Sequence, residues 1–247
     1  IRGLVGSEMC IRDRNNFVIS EYENSKTDIE IISIVADSLF DIDGVIFVEK
    51  IDSSTVRMHY YNNDGSTAEL CVNGVRCVAK YAIDNSFVDN NELTVIAPIG
   101  NIKTTVNEEN VALEVAIPTY DKNKILIDGL ECIKSNIGNP HLLVEVKDVE
   151  KFNLEEFVAR VYETNEFENG VNVEIYNMFD KKIINARVYE RGVGETDACG
   201  SGAICMFYYL YNTDQVNNNS LIFYPGGELE MSIEKDIITL NGKVTYL

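Results

Sequence analysis

No run of apolar residues in this chain approaches the roughly 18–20 that a membrane-crossing helix needs, so no such helix is expected. No stretch reads as a secretory leader either. Positive charge is scarce: 21 Lys and Arg stand against 40 Asp and Glu, a formal net charge of −19 over 247 residues. Phosphate backbones and anionic lipid surfaces demand clustered cations, so nucleic acid and membranes are excluded as expected partners. Histidine is scarcer still. His59 and His141 are the only two, and no Cys-x-x-Cys pair occurs, which leaves no metal site to expect. A glycine-rich nucleotide loop and a Gly-x-Ser-x-Gly elbow are also missing. Six cysteines without a leader fit free thiols in a reducing, cytoplasmic compartment better than a disulfide framework.

What the chain does have is a repeat. Cys71-Val72-Asn73-Gly74-Val75-Arg76-Cys77 matches Cys199-Gly200-Ser201-Gly202-Ala203-Ile204-Cys205 at an offset of 128. Upstream, Val56 to Tyr61 lines up with Ile184 to Tyr189 at the same offset, and downstream Ala97-Pro98-Ile99-Gly100 pairs with Tyr224-Pro225-Gly226-Gly227 at 127. Weaker echoes join Asn15-Asn16-Phe17 to Asn139-Pro140-His141 and Gly44-Val45 to Gly170-Val171. The expected organisation is two halves of similar fold, residues 1–120 and 121–247.

Within each half, the apolar positions after the first cysteine follow a helical period: Val75, Val78, Ala79, Ala82 and Ile83, then Ala203, Met206, Phe207, Leu210 and Tyr211. The second helix is apolar almost all round and is expected to be buried. Residues 28–40 and 153–163 read as two further helices. Alternating runs at 45–48, 102–106, 111–117, 142–146, 184–189, 229–233 and 237–240 read as strands, with a hairpin turn at 107–110. These elements predict an α+β fold of two pseudo-symmetric domains, each a mostly antiparallel sheet wrapped on a buried central helix.

Gly-rich turns put Cys71 and Cys199 at the two helix starts, where unpaired N–H groups and the positive dipole end favour a thiolate. The N–H groups of Val72, Asn73, Gly200 and Ser201 could hold a carboxylate. Two thiols on opposite faces of one carbon suit inversion of an α-carbon, one as base and the other as acid. Charge developing on the substrate carboxylate would meet preorganised donors, so no cofactor is needed. Read without context, a cysteine at a helix start is more often a small buried hydrophobe than a catalyst. Cys77, Cys205 and Cys132 are read as core residues.

Asn62-Asn63-Asp64-Gly65-Ser66 with Glu69-Leu70-Cys71-Val72-Asn73-Gly74 resembles the first motif of diaminopimelate epimerases, and Glu190-Arg191-Gly192-Val193-Gly194-Glu195-Thr196 with Ala198-Cys199-Gly200-Ser201-Gly202 resembles the second. Gly138-Asn139-Pro140-His141 and Asn169-Gly170-Val171-Asn172 match two more segments. The resemblance runs from about Asn15 to the C-terminus. It implies an isomerase that interconverts LL- and meso-diaminopimelate without a cofactor, on the route to lysine and peptidoglycan, with Cys71 and Cys199 as the catalytic pair. It further implies that Asn15, Asn62, Asn139, Asn172 and Arg191 hold the substrate, that Glu190 serves the site and that His141 supports it. The expected partner is a small amino acid, and a homodimer is compatible with the reading.

Three positions depart from the family pattern. Val72 replaces the usual Gly, and Gly44 stands where some members have Gln. Residues 1–14 do not resemble the family's first strand, and they read as foreign to the fold. Two other readings stay open: a different cofactor-independent racemase of the same superfamily, and a non-catalytic redox or binding protein in which Cys71 and Cys199 form a switchable disulfide.

Overall fold

The computed structural model describes residues 8–12, 15–22, 42, 44–62, 66–67, 71–98 and 100–246, with side chains described from Asn16 to Thr245 within that set. The chain divides into two compact units, Ile1–Glu114 with Asn241–Leu247, and Val115–Leu240. The sequence boundary at 120/121 is thus displaced by a few residues. It also overlooks the C-terminal return, because a short terminal strand carries no periodicity of its own. The helix expected at 28–40 lies outside the described residues.

In the first unit β1 (Glu8–Arg12) pairs antiparallel with β2 (Asn15–Glu21), and β18 (Thr245–Tyr246) pairs antiparallel with β1. β1 lies within the segment read as foreign, ahead of residue 15. β2 runs parallel to β3 (Gly44–Lys50), which is antiparallel to β4 (Thr55–Asn62), and β4 runs parallel to β5 (Glu92–Ala97). β6 (Gly100–Asn107) and β7 (Asn110–Val115) follow as antiparallel neighbours, joined by the predicted hairpin turn.

In the second unit β8 (Thr119–Tyr120) and β9 (Ile125–Ile127) lie antiparallel on β10 (Leu130–Asn136), which pairs antiparallel with β11 (Pro140–Glu145). β11 is parallel to β12 (Asn172–Met178), β12 is antiparallel to β13 (Ile183–Glu190), and β13 is parallel to β15 (Asn219–Tyr224). β14 (Gly194–Thr196) folds back on β13, β16 (Gly227–Glu234) pairs antiparallel with β15, and β17 (Ile237–Lys243) begins in this unit and runs past its end at Leu240. The sheets are mixed but mostly antiparallel, and each of the parallel neighbours β2/β3, β4/β5, β11/β12 and β13/β15 needs a long crossover. Helix α1 (Val72–Asp84) crosses from β4 to β5, α2 (Leu154–Glu163) from β11 to β12, and α3 (Gly200–Asn212) from β13 to β15.

The order and register of pairing in the first unit recur in the second. Val45 opposes Tyr61, and Val173 opposes Tyr189, 128 positions further on. Thr55 lies beside Thr94 as Ile183 lies beside Leu221. This register corrects one echo: Gly44 corresponds to Asn172, not to Gly170, which lies before β12 with φ 73°.

Each central helix is the core of its unit. On α1 every residue from Val72 to Ala79 is buried, and on α3 every residue from Gly200 to Phe207. Both helices stop at a residue in the left-handed region, Ser86 and Asp214, each at φ 57°. Helix α2 is amphipathic. Asn153 caps it by accepting from Glu156 N–H at 3.3 Å, Glu155 and Glu156 complement the dipole, and Leu154, Phe157, Val158 and Val161 pack on Val144, Val173 and Ile175. Each such buried side chain contributes about 1.5–3 kcal/mol. Cys71, Cys132, Cys199 and Cys205 carry free thiols, whereas the buried Cys77 is disulfide-bonded, contrary to the free core thiol expected there; apolar surroundings on a helix face do not reveal a covalent partner.

Candidate active site

Both repeat cysteines cap a helix. Cys71 (φ −131°, ψ 91°) and Cys199 (φ −133°, ψ 111°) sit in the extended conformation of an N-cap residue. Cys71 Sγ accepts from Gly74 N–H at 3.3 Å, and Cys199 Sγ accepts from Gly202 N–H at 3.5 Å. The sulfur thus takes the place that a Ser or Asp oxygen takes in an ordinary cap, with the helix N–H groups favouring negative charge there.

In the first unit, Val72 and Asn73 open α1 and are buried, so the branched side chain of Val72 is accommodated inside the fold. Asn73 Oδ1 accepts from Nη2 of the wholly buried Arg76 at 2.6 Å. Asn62 ends β4, its side chain donating to Ser66 Oγ at 2.9 Å. Asn15 begins β2, but its side chain lies outside those described, as do residues 63–65 and 68–70.

The second unit gathers more. Ser201 Oγ lies 3.3 Å from Cys199 Sγ, and Asn139 Nδ2 donates to Ser201 Oγ at 3.4 Å. His141 has its Nε2 3.2 Å from Asn139 Oδ1 and its Nδ1 3.3 Å from Glu174 Oε1. The Tyr224 hydroxyl donates to Glu174 Oε2 at 3.1 Å. Glu190, joined by Thr196 Oγ1 at 2.5 Å, also reaches Cys199. Asn172 is a brace: its Oδ1 accepts from Arg191 N–H at 2.9 Å while its Nδ2 donates to Pro140 O at 3.2 Å. The Arg191 guanidinium is tied to Asn169 O at 3.1 Å. Its stem lies so close over Gly170 that a Cβ there would meet Cδ at 2.9 Å. The predicted residues of this unit are therefore brought together, around Cys199 and at the adjoining ends of β12 and β13.

Glu174 and Tyr224 were not anticipated. Glu174 is fully buried beneath the start of α3. Burial pushes its carboxyl above the usual range while His141 pulls it down. Burial, and then the carboxyls of Glu190 and Glu174, push the Cys199 thiol well above its ordinary value. Burial likewise raises Glu190. By contrast Cys205, deeper along α3, is pushed up to about 12 and Cys132 to about 11, as buried core thiols. Donor atoms of His141, Glu174 and Cys199 lie within 4.8 Å of one another, a spread that could hold a metal, but all are already engaged in hydrogen bonds with protein partners. An open depression of about 810 Å³ lined by Lys124, Glu145, Lys147, Tyr176 and Tyr209 contains none of these residues.

Glycine at 202 is required by this packing, since a Cβ there would overlap the Glu174 carboxyl. Gly202→Ala is expected to destabilise by about 1–3 kcal/mol, outweighing the helix propensity Ala gains, as read by thermal denaturation. Gly74→Ala, whose Cβ meets the far end of Met58 at 2.7 Å, should be milder. Equal melting of wild type and Gly202→Ala would contradict the close approach.

The model of the family "Diaminopimelate epimerase" matches residues 15–121 and 133–247. A diaminopimelate epimerase of Thermotoga maritima is 34% identical over 212 residues, covering 85% of this chain and 86% of that protein. One of Brachyspira hyodysenteriae is 30% identical, covering 83% and 81%. Among solved structures, a phenazine biosynthesis protein of the PhzF family from Enterococcus faecalis has a TM-score of 0.74 at 16% identity, covering 98% of this chain and 96% of that one. A hydroxyproline epimerase from Agrobacterium vitis has a TM-score of 0.72 at 11% identity, covering 98% and 90%. At those identities the solved structures show a shared fold, and it is the family match across both units, with the curated relatives, that assigns this chain to the diaminopimelate epimerase family.

Proposed function

We propose that the protein inverts the α-carbon of LL-diaminopimelate to give the meso form, by a two-base thiolate/thiol mechanism with Cys71 and Cys199 as the reacting pair and no cofactor. The observation that carries this reading is the doubled cap: each central helix begins on a cysteine whose sulfur accepts from the N–H three residues on. Inversion needs a base to take the α-proton from one face and an acid to return a proton to the other. The thiolate removes the proton, the electron pair delocalises into the substrate carboxylate, and the second thiol protonates the carbon. The helix N–H groups of Val72, Asn73, Gly200 and Ser201 would stabilise the charge that develops. Arg191, Glu190 and the side chains of Asn15, Asn62, Asn139 and Asn172 would hold the far end of the substrate. His141 fixes Asn139. In this reading the two units are pseudo-symmetric halves, and the product feeds lysine and peptidoglycan synthesis.

Proton NMR in D2O with LL-diaminopimelate tests the reading. The α-proton signal should vanish at an enzyme-dependent rate as deuterium enters and the meso form appears. Persistence of that signal with folded protein at high concentration would refute the assignment.

A further inference from the structure

The two helix starts are alike in backbone and opposite in surroundings. Where the second unit has Glu174, His141 and Tyr224, the repeat places Ile46, Phe17 and Ala97 in the first. Strand register fixes these equivalences. Ile46 opposes Tyr60 as Glu174 opposes Val188, and Phe17 lies beside Gly44 as His141 lies beside Asn172. Ala97 opposes Gly100 as Tyr224 opposes Gly227. The helix packing agrees: a Cβ on Gly74 would meet Ile46 Cδ1 at 3.1 Å, whereas one on Gly202 would meet the Glu174 carboxyl. The helices themselves differ in the opposite sense. Wholly buried Arg76 reaches back to the first turn of α1 through Asn73, and its counterpart on α3 is Ile204. Among the described residues, one helix start has hydrocarbon below and a cation beside it; the other has a carboxyl below and no cation on its helix.

We propose that Glu174 is a positioning residue that keeps the proton on Cys199, making Cys199 the acid and Cys71 the base in the resting protein. This rests on the two-cysteine reading and deepens it. Around Cys199 stand Glu174 from β12, Glu190 from β13, His141 from β11 and Tyr224 from β15, with the Ser201 hydroxyl on its own helix. Ionising Cys199 would add negative charge beside the carboxyls of the fully buried Glu174 and the partly buried Glu190, in a medium where unit charges interact far more strongly than in water. His141 is the single base in that cluster among the described residues, and its Nδ1 is already engaged by Glu174. Burial is the first cause of the upward shift of Cys199, and the Glu190 and Glu174 carboxyls add to it in the same direction. The asymmetry gives the resting pair a defined proton, so the first half-reaction needs no proton to move between the thiols beforehand.

The test is alkylation of the whole chain by iodoacetamide across roughly pH 6–10, with the extent at each cysteine read by peptide mass spectrometry, since only the thiolate reacts. Midpoints rather than rates are compared, which removes accessibility from the reading. In the wild type, Cys71 should titrate at lower pH than Cys199. In Glu174→Gln the Cys199 midpoint should fall, giving about tenfold more thiolate at a given pH, while the Cys71 midpoint stays. A folded Glu174→Gln with Cys199 unmoved would overturn the proposal. If that variant does not fold, the wild type decides by itself: Cys199 titrating with or below Cys71 overturns it. No substrate is involved, so this outcome is separable from any failure of the diaminopimelate assignment.

Discussion

Replacing either Cys71 or Cys199 by Ser should reduce epimerisation by roughly 10²–10⁴-fold or more, while the protein stays as stable as wild type. The pairing of those outcomes is the point of using Ser. A hydroxyl is an excellent N-cap acceptor, so it preserves the bond from Gly74 or Gly202 that the sulfur now accepts. It cannot be ionised near neutral pH, so it serves neither as base nor, with its far higher pKa, as the acid of the return step. Ala removes cap and chemistry together and should additionally cost about 0.5–2 kcal/mol in a thermal melt. Because inversion uses both faces of the carbon, neither single variant should be rescued by the remaining cysteine. Near-wild-type turnover by folded Cys199→Ser, followed by circular dichroism as the LL form is converted, would sink the two-base mechanism.

What could be read from the chain beforehand depended on the repeat. The helix starts were legible because Gly74 and Gly202 recur beside the two cysteines, and because the strands on either side recur at nearly the same spacing. The edge strands and the return of the C-terminus were not, since such short segments are specified by neighbours rather than by their own pattern. Glu174 was missed for a different reason. Asn172–Met178 is buried on both faces over its first five residues, so its sequence shows no alternation against which a buried acid would stand out. The signal was nonetheless present: sliding the chain by 128 sets Glu174 on Ile46, an acid in place of an apolar residue. Tyr224 against Ala97 carries the same signal at 127.

Discrimination by the far end of the substrate should be nearly as large as the effect of the thiols. LL-diaminopimelate should be turned over roughly 30–1000-fold faster, in kcat/KM, than L-lysine, which has the same reacting end but no second carboxylate. That range corresponds to about 2–4 kcal/mol, the scale of losing one partner of a hydrogen-bonded charge pair. The residue expected to read the difference is Arg191. Its backbone is fixed by Asn172 Oδ1 at 2.9 Å, and its guanidinium is held by Asn169 O at 3.1 Å through one nitrogen, which would leave other donors for the carboxylate proposed here. A planar fork on a braced backbone can bind a carboxylate through two parallel hydrogen bonds. Arg191→Lys retains the charge but not the fork, so it should lose most of the preference for diaminopimelate while leaving the slow turnover of lysine almost unchanged. The two measurements together separate recognition from chemistry. Equal loss on both substrates would mean that Arg191 acts on the reacting end, and wild-type protein that turned over lysine as well as diaminopimelate would remove the substrate assignment while leaving the epimerase family and its two capped helices in place.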